Sequence, residues 1–191
     1  MLQQMLDPEQ LDIERIRPIS RAEYDRMVDV GIFDEDEHIE LLRGVIVKMS
    51  PQKWHHAAVT SWLNEQLVLQ LAGAFEVRPQ LPYAASDWSE PEPDLAVVVK
   101  DRERRDHPSA ALLIIEIAER SLRTDRRIKA QIYAEAGVPE YWVVDLRAMT
   151  VHVHTRPVAD RYESIVAVRD GEVLRPTRLP GVMLAVTDIP R

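Results

Sequence analysis

At 191 residues, with 46% hydrophobic and 29% charged side chains, the chain has the size and composition of one ordinary globular domain. Its net charge of −8 argues against a protein that coats nucleic acid by bulk attraction, and no apolar run approaches the roughly 18 residues of a membrane span. Zero cysteines exclude disulfides and thiolate metal sites, which fits a cytoplasmic protein.

Residues 1–18 show little periodicity and read as an N-terminal arm, with one domain over 19–191. The arm is acidic and has no basic stretch ahead of an apolar core, so it lacks the pattern of a secretory signal. In SRAEYDRMVDVG, Ser20 and Glu23 form a capping-box pattern and Gly31 is a stop signal, which predicts a short helix. In HIELLRGVIVKMSP two short apolar runs flank Arg43-Gly44, the pattern of a tight hairpin. After Ser50-Pro51, Val59, Leu63, Leu67 and Leu71 recur every four residues and predict an amphipathic helix closed by Gly73.

FEVRPQLPYAAS predicts a strand whose Pro79 and Pro82 favour an edge or irregular end. A Pro-rich lead then enters a strong strand, Leu95 to Val99. A charged loop, DRERRDHPS, precedes the apolar strand ALLIIEIA. TDRRIKAQIYAEAGV reads as a helix capped by Thr124 and ended by Gly137, with Ile128, Ile132 and Ala136 on one apolar face. EYWVVDL and TVHVHTR predict a second hairpin, and further strands surround Asp170-Gly171. Strands dominate in a mixed order, so the fold class is α/β (α+β) with a mixed sheet.

Charge is unevenly spread. Residues 1–50 hold 12 acidic against 6 basic side chains, whereas residues 100–129 hold 9 Lys/Arg against 6 acids. Inside that basic segment Glu116 interrupts a strand that is otherwise apolar. An unpaired carboxylate there would cost several kcal/mol even after relaxation. Asp94, at the mouth of the preceding strand, comes beside Glu116 if the two strands are neighbours. Two close carboxylates repel unless one is protonated or a cation lies between them, and Mg²⁺ or Mn²⁺ would serve. Lys129, beside the apolar face of the following helix, can reach back to the strand end. The simpler reading of the same residues is a structural ion pair between Glu116 and Lys129 or an arginine. Tyr133, Tyr141 and Trp142 read as core, and Asp145 as the residue that binds the turn after its strand. His152 and His154, two apart on a strand, are a weak metal pair with no third ligand.

PEPDLAVVV, LLIIEIAERS and TDRRIKAQIYAEAGVPEYWVVDL together resemble the Uma2-type restriction-endonuclease-like proteins of the PD-(D/E)XK nuclease superfamily. IELLRGVIVKMSP followed by a histidine adds to the resemblance, which covers roughly residues 19 to 155. It implies a restriction-endonuclease-like core, a mixed central β-sheet flanked by helices, with additional hairpins. It also implies a metal-dependent endonuclease acting on DNA, with Mg²⁺ or Mn²⁺ as cofactor, as a homodimer. Position by position, Asp94 matches the Asp of the motif and Glu116 its second acid, both metal ligands, with the Ile117 carbonyl as a third. Glu40 matches the glutamate completing the acidic cluster, and His56 rather than His55 the family histidine. Ala118 stands where the superfamily lysine is expected, and Lys129 is the substitute from the next helix. Arg120, Arg123, Arg126 and Arg127 could hold the flanking phosphates. The alternative is a catalytically silent nuclease-fold scaffold, serving assembly or nucleic-acid binding, since a fold does not fix its chemistry.

Overall fold

The structure, a computed structural model, describes residues 17–34, 36–49, 51–119 and 121–191. Its centre is a six-stranded sheet in the order β3-β4-β5-β6-β7-β8. The strands are β3 (Glu76–Pro79), β4 (Leu95–Val98), β5 (Leu113–Ala118), β6 (Glu140–Asp145), β7 (Thr150–Val158) and β8 (Arg161–Val168). Only β5 and β6 run parallel, and every other neighbouring pair is antiparallel, so the sheet is mixed as expected. All residues of β4, β5 and β6 are buried, which is why their sequences read as continuous apolar runs.

Side chains alternate between the two sheet faces. Leu95, Val97, Leu113, Ile115 and Ile117 pack with Val59, Leu63 and Leu67 of α2 (Trp54–Leu71). Ala96, Ile114, Ala118 and Val143 pack on the opposite face with Tyr133, Tyr141 and Tyr83. Glu116 lies between Ile115 and Ile117 and therefore belongs to this second face. On the first face Glu140, only 1% exposed, accepts bonds from the Trp142 indole and from the Thr177 backbone and hydroxyl, which ties the C-terminal tail to the sheet.

α1 (Arg21–Asp29) starts at Ser20 with the full capping box, as its sequence predicts. β1 (Ile39–Leu42) and β2 (Val45–Lys48) form the expected hairpin. Its turn residues Arg43 and Gly44 have φ of 50° and 78°, the conformation that matches strand twist in a two-residue turn. Gly44 is also crowded, since a Cβ there would lie 2.5 Å from Pro18 Cβ.

Two local expectations fail in the β5–β6 crossover. The helix does not start at Thr124: α3 (Leu122–Thr124), a π-helical turn Asp125–Lys129 and α4 (Ala130–Glu135) follow one another, and Thr124 has helical angles without a capping bond. Ile128 is 42% exposed rather than buried. The wider turn takes in an extra residue and changes which side chains face inward, so that Asp125 and Lys129 are buried instead. Around Asp170-Gly171 the chain turns as expected, but β9 (Val173–Leu174) leaves β8 and pairs with β10 (Leu184–Ala185).

Candidate active site

β4 and β5 pair with Leu95 opposite Ile115, and continuing that register by one residue sets Asp94 opposite Glu116. The Ile117 N–H donates to Asp94 Oδ2 at 2.7 Å, which fixes the aspartate against the end of β5. His56, in the first turn of α2, meets the same oxygen through Nε2 at 3.2 Å. His55 turns instead to the Pro190 carbonyl, so the spacing argument selected the histidine that reaches the site. Burial pulls the His56 pKa down, but hydrogen bonding to and the charge of Asp94, helped by the Ile117 backbone, outweigh it and raise the value.

Glu116, 4% exposed, has both an ammonium and a hydroxyl for partners. Its Oε1 accepts from Lys129 Nζ at 3.0 Å and from Tyr133 Oη at 2.8 Å. Lys129 also reaches Glu40 Oε2 at 2.9 Å, an oxygen that accepts from the Glu92 N–H. Glu40 thus joins the cluster from β1, as expected. Burial works against the Lys129 ammonium, but Glu116, Glu40 and Asp125 outweigh it and its pKa rises, so it stays charged. Burial pushes the Glu116 pKa well up, opposed by Lys129 and reinforced by Asp125, Asp94 and Glu40.

Two contributors were not singled out from sequence, and a third was read only as core. Asp125, 2% exposed, accepts from Ser121 Oγ at 2.5 Å; burial raises its pKa to about 6 against the pull of Lys129. Glu92 has its pKa raised by burial and then by Glu40. Tyr133 is core, as read, but its hydroxyl orients Glu116. The one available signal for Asp125 was its position four residues before Lys129, on the same side of a helix.

Arg123, Arg126 and Arg127 are exposed on the crossover helix, and Arg120 lies outside the described residues. His152 and His154 share a face of β7, and among the described residues no third ligand group joins them. His154 packs on Tyr141 and Tyr162 and its Nδ1 meets the His152 carbonyl; burial lowers its pKa to about 4, leaving it neutral. Asp145 Oδ1 accepts from the Arg147 and Ala148 N–H groups, holding the β6–β7 turn as expected.

The donor set suits a hard divalent cation. Asp94 uses Oδ2 and Glu116 uses Oε1 for the bonds above, which leaves Oδ1 and Oε2 without a hydrogen bond among the described residues. Two carboxylate oxygens and a main-chain carbonyl match Mg²⁺ or Mn²⁺ rather than a nitrogen- and sulfur-seeking metal. Among the described residues no three His, Cys, Asp or Glu side chains converge on one cation position, so water would complete the shell.

Residues 21–187 match the Uma2 family, described as "Putative restriction endonuclease". The chain belongs to this family. A "putative nuclease belonging to DUF820" from Anabaena variabilis shares the fold, with a TM-score of 0.71 and 18% identity over 90% of this chain and 97% of that one. The type IIG restriction endonuclease BpuSI is more distant, with a TM-score of 0.39 and 18% identity over 60% of this chain and 14% of its own. No curated protein matches the Uma2 chain. No helix among its described residues is long and apolar enough to cross a membrane.

Proposed function

We propose that this Uma2 protein is a metal-dependent endonuclease that hydrolyses phosphodiester bonds of DNA, working as a cytoplasmic homodimer. The observation that carries this reading is the meeting of Asp94, Glu116 and Lys129 at the ends of two adjacent central strands. Asp94, Glu116 and the Ile117 carbonyl would hold Mg²⁺ or Mn²⁺. Bound there, the ion would supply Lewis acidity at the phosphate and acidify the attacking water. His56 and the Ile117 N–H orient Asp94, and Tyr133 orients Glu116. Lys129 keeps a positive charge where charge builds on the phosphate oxygens. Exposed Arg123, Arg126 and Arg127, with Arg120 in the same segment, hold the flanking backbone by charge-assisted bonds. Water adds to phosphorus and the 3′ oxygen leaves.

One observation favours the second reading, a catalytically silent scaffold: Lys129 is already clamped between Glu116 and Glu40. Mn²⁺ calorimetry on the parent, Asp94→Ala and Glu116→Ala, with plasmid nicking on the same samples, separates the two. The nuclease reading expects binding and nicking by the parent and loss of both in each variant. A parent that binds no Mn²⁺ and nicks nothing, with Glu116→Ala altering only thermal stability, makes the site a structural ion pair.

A further inference from the structure

Trp54 is the most exposed large apolar side chain among the described residues, at 75%, whereas Trp142 is fully buried and Trp62 packs against the core. Tryptophan is among the side chains that gain most from burial, so an open indole at a working site is informative. Trp54 opens α2, and both sides of it are anchored to the candidate centre. Lys53 reaches Glu119, just past the end of β5, at 2.8 Å, and His56 reaches Asp94. Side chains on a helix lean toward its N-terminus, so the indole projects at the end of α2 that carries His56. Among the described residues it joins no aromatic ring pair, which leaves its π face open.

We propose that Trp54 stacks on an unpaired nucleobase flanking the scissile phosphate, so that the preferred substrate is single-stranded or carries a base displaced from its stack. This inference rests on the nuclease reading of the same centre. A phosphodiester held at Asp94 and Glu116 has a nucleoside on either side, and Trp54 opens the helix whose His56 touches Asp94, next to Lys53, which reaches Glu119. A chain with net charge −8 gains little long-range attraction for a polyanion. Short-range contacts must therefore carry much of the affinity, and stacking is tolerant of sequence and available from every base. In a duplex the base faces are taken up by their neighbours, so the contact requires an unpaired base.

The test compares a labelled single-stranded DNA oligonucleotide with the duplex of the same sequence. Binding to the parent, Trp54→Ala and Trp54→Tyr is followed by anisotropy in EDTA, and cleavage is followed separately in Mn²⁺. The proposal expects Trp54→Ala to bind the single strand at least about fivefold more weakly. Duplex binding should change little, Trp54→Tyr should retain most of the affinity, and all three melting temperatures should agree. Equal single-strand affinity for parent and Trp54→Ala overturns it, as does an equal loss on both DNAs. A parent that sediments as a dimer dissociated by Trp54→Ala also overturns it, because the indole would then face a second copy. A parent that binds in the expected pattern but never cuts sinks the nuclease reading, and with it the preferred-substrate claim, while leaving Trp54 as a base-stacking contact. A parent that cuts while Trp54→Ala binds and cuts equally well does the reverse, and a parent that binds neither DNA overturns both.

Discussion

Replacing Lys129 with methionine keeps most of the side-chain volume but removes the ammonium that Glu116 and Glu40 share. Deleting one member of a buried ion pair costs about 3–5 kcal/mol, because the remaining charge is stranded. Here the loss has a ceiling, since Glu116 can take up a proton. Its ordinary value is 4.5, so holding it protonated at pH 7 costs at most about 3 kcal/mol, part of which the parent already carries because burial raises Glu116 even beside Lys129. Glu40 keeps the Glu92 N–H, so most of the effect belongs to Glu116. A destabilisation of about 3 kcal/mol, the ceiling, would lower the melting temperature of a chain this size by about 6–12 °C. The sign with pH follows from the stranded acid, whose folded-state pKa is raised above its unfolded value. The penalty is nearly absent below pH 4.5 and grows as the pH rises above it. Urea denaturation of parent and Lys129→Met in EDTA at pH 5 and pH 7.5 measures this directly, and adding Glu116→Gln should recover most of the loss. A penalty equal at both pH values, or a variant more stable than its parent, would refute the account of Lys129 as the cation that opposes the rise in the Glu116 pKa.

Glu90 gives a second pH effect, away from the candidate site. Burial raises its pKa to about 7, its Oε2 has no hydrogen bond among the described residues, and Arg21 stands 3.6 Å away. Stability is therefore given up as pH rises from 4.5 to about 7, and Glu90→Gln should be more stable than the parent by roughly 2–3 kcal/mol at pH 8 and equal to it at pH 4; identical urea midpoints at pH 8 would contradict this. Gly44→Ala combines a positive φ with a Cβ 2.5 Å from Pro18 Cβ, and it should cost about 1–3 kcal/mol in thermal unfolding. It should also speed amide exchange at Ile19, whose N–H bonds the Gly44 carbonyl.

How far the sequence could be read depends on what each signal measures. The run from Leu113 to Ala118 announced a strand buried on both faces, and the interruption at Glu116 announced a partner. Strand alternation then brings Glu116 to the face of Ile114 and Ala118, and register sets it opposite Asp94. The four-residue spacing of Val59, Leu63 and Leu67 phases α2 so that His56 points to Asp94. The same reasoning failed over residues 122–135, because it assumes 3.6 residues per turn. The π turn at Asp125–Lys129 breaks that period, exposes Ile128 and buries Asp125, and nothing local in the sequence announces it. Tyr133 was legible as core, but its hydroxyl bond to Glu116 depends on the same shifted phase. Glu92 was hidden by its place in a Pro-rich lead, where a charged residue ordinarily faces solvent.

The balance of charge in the cluster bears on which reading of Glu116 is the better one. A structural ion pair needs one carboxylate for one ammonium, and Glu116 with Lys129 would suffice. Around that single lysine the fold instead gathers Glu40, Glu92, Asp94 and Asp125 as well. Burial and mutual repulsion raise the pKa of Glu92, Glu116 and Asp125 together, so in the absence of another cation the added acids work against stability. His56 offsets part of this only when protonated, through its bond to Asp94 and the nearby charge of Asp125. Locally unfavourable charge that a fold maintains is characteristic of functional sites, where a ligand supplies what the protein lacks. A divalent cation between Asp94 and Glu116 would oppose every one of these upward shifts at once, and this is the electrostatic argument behind the proposed metal site.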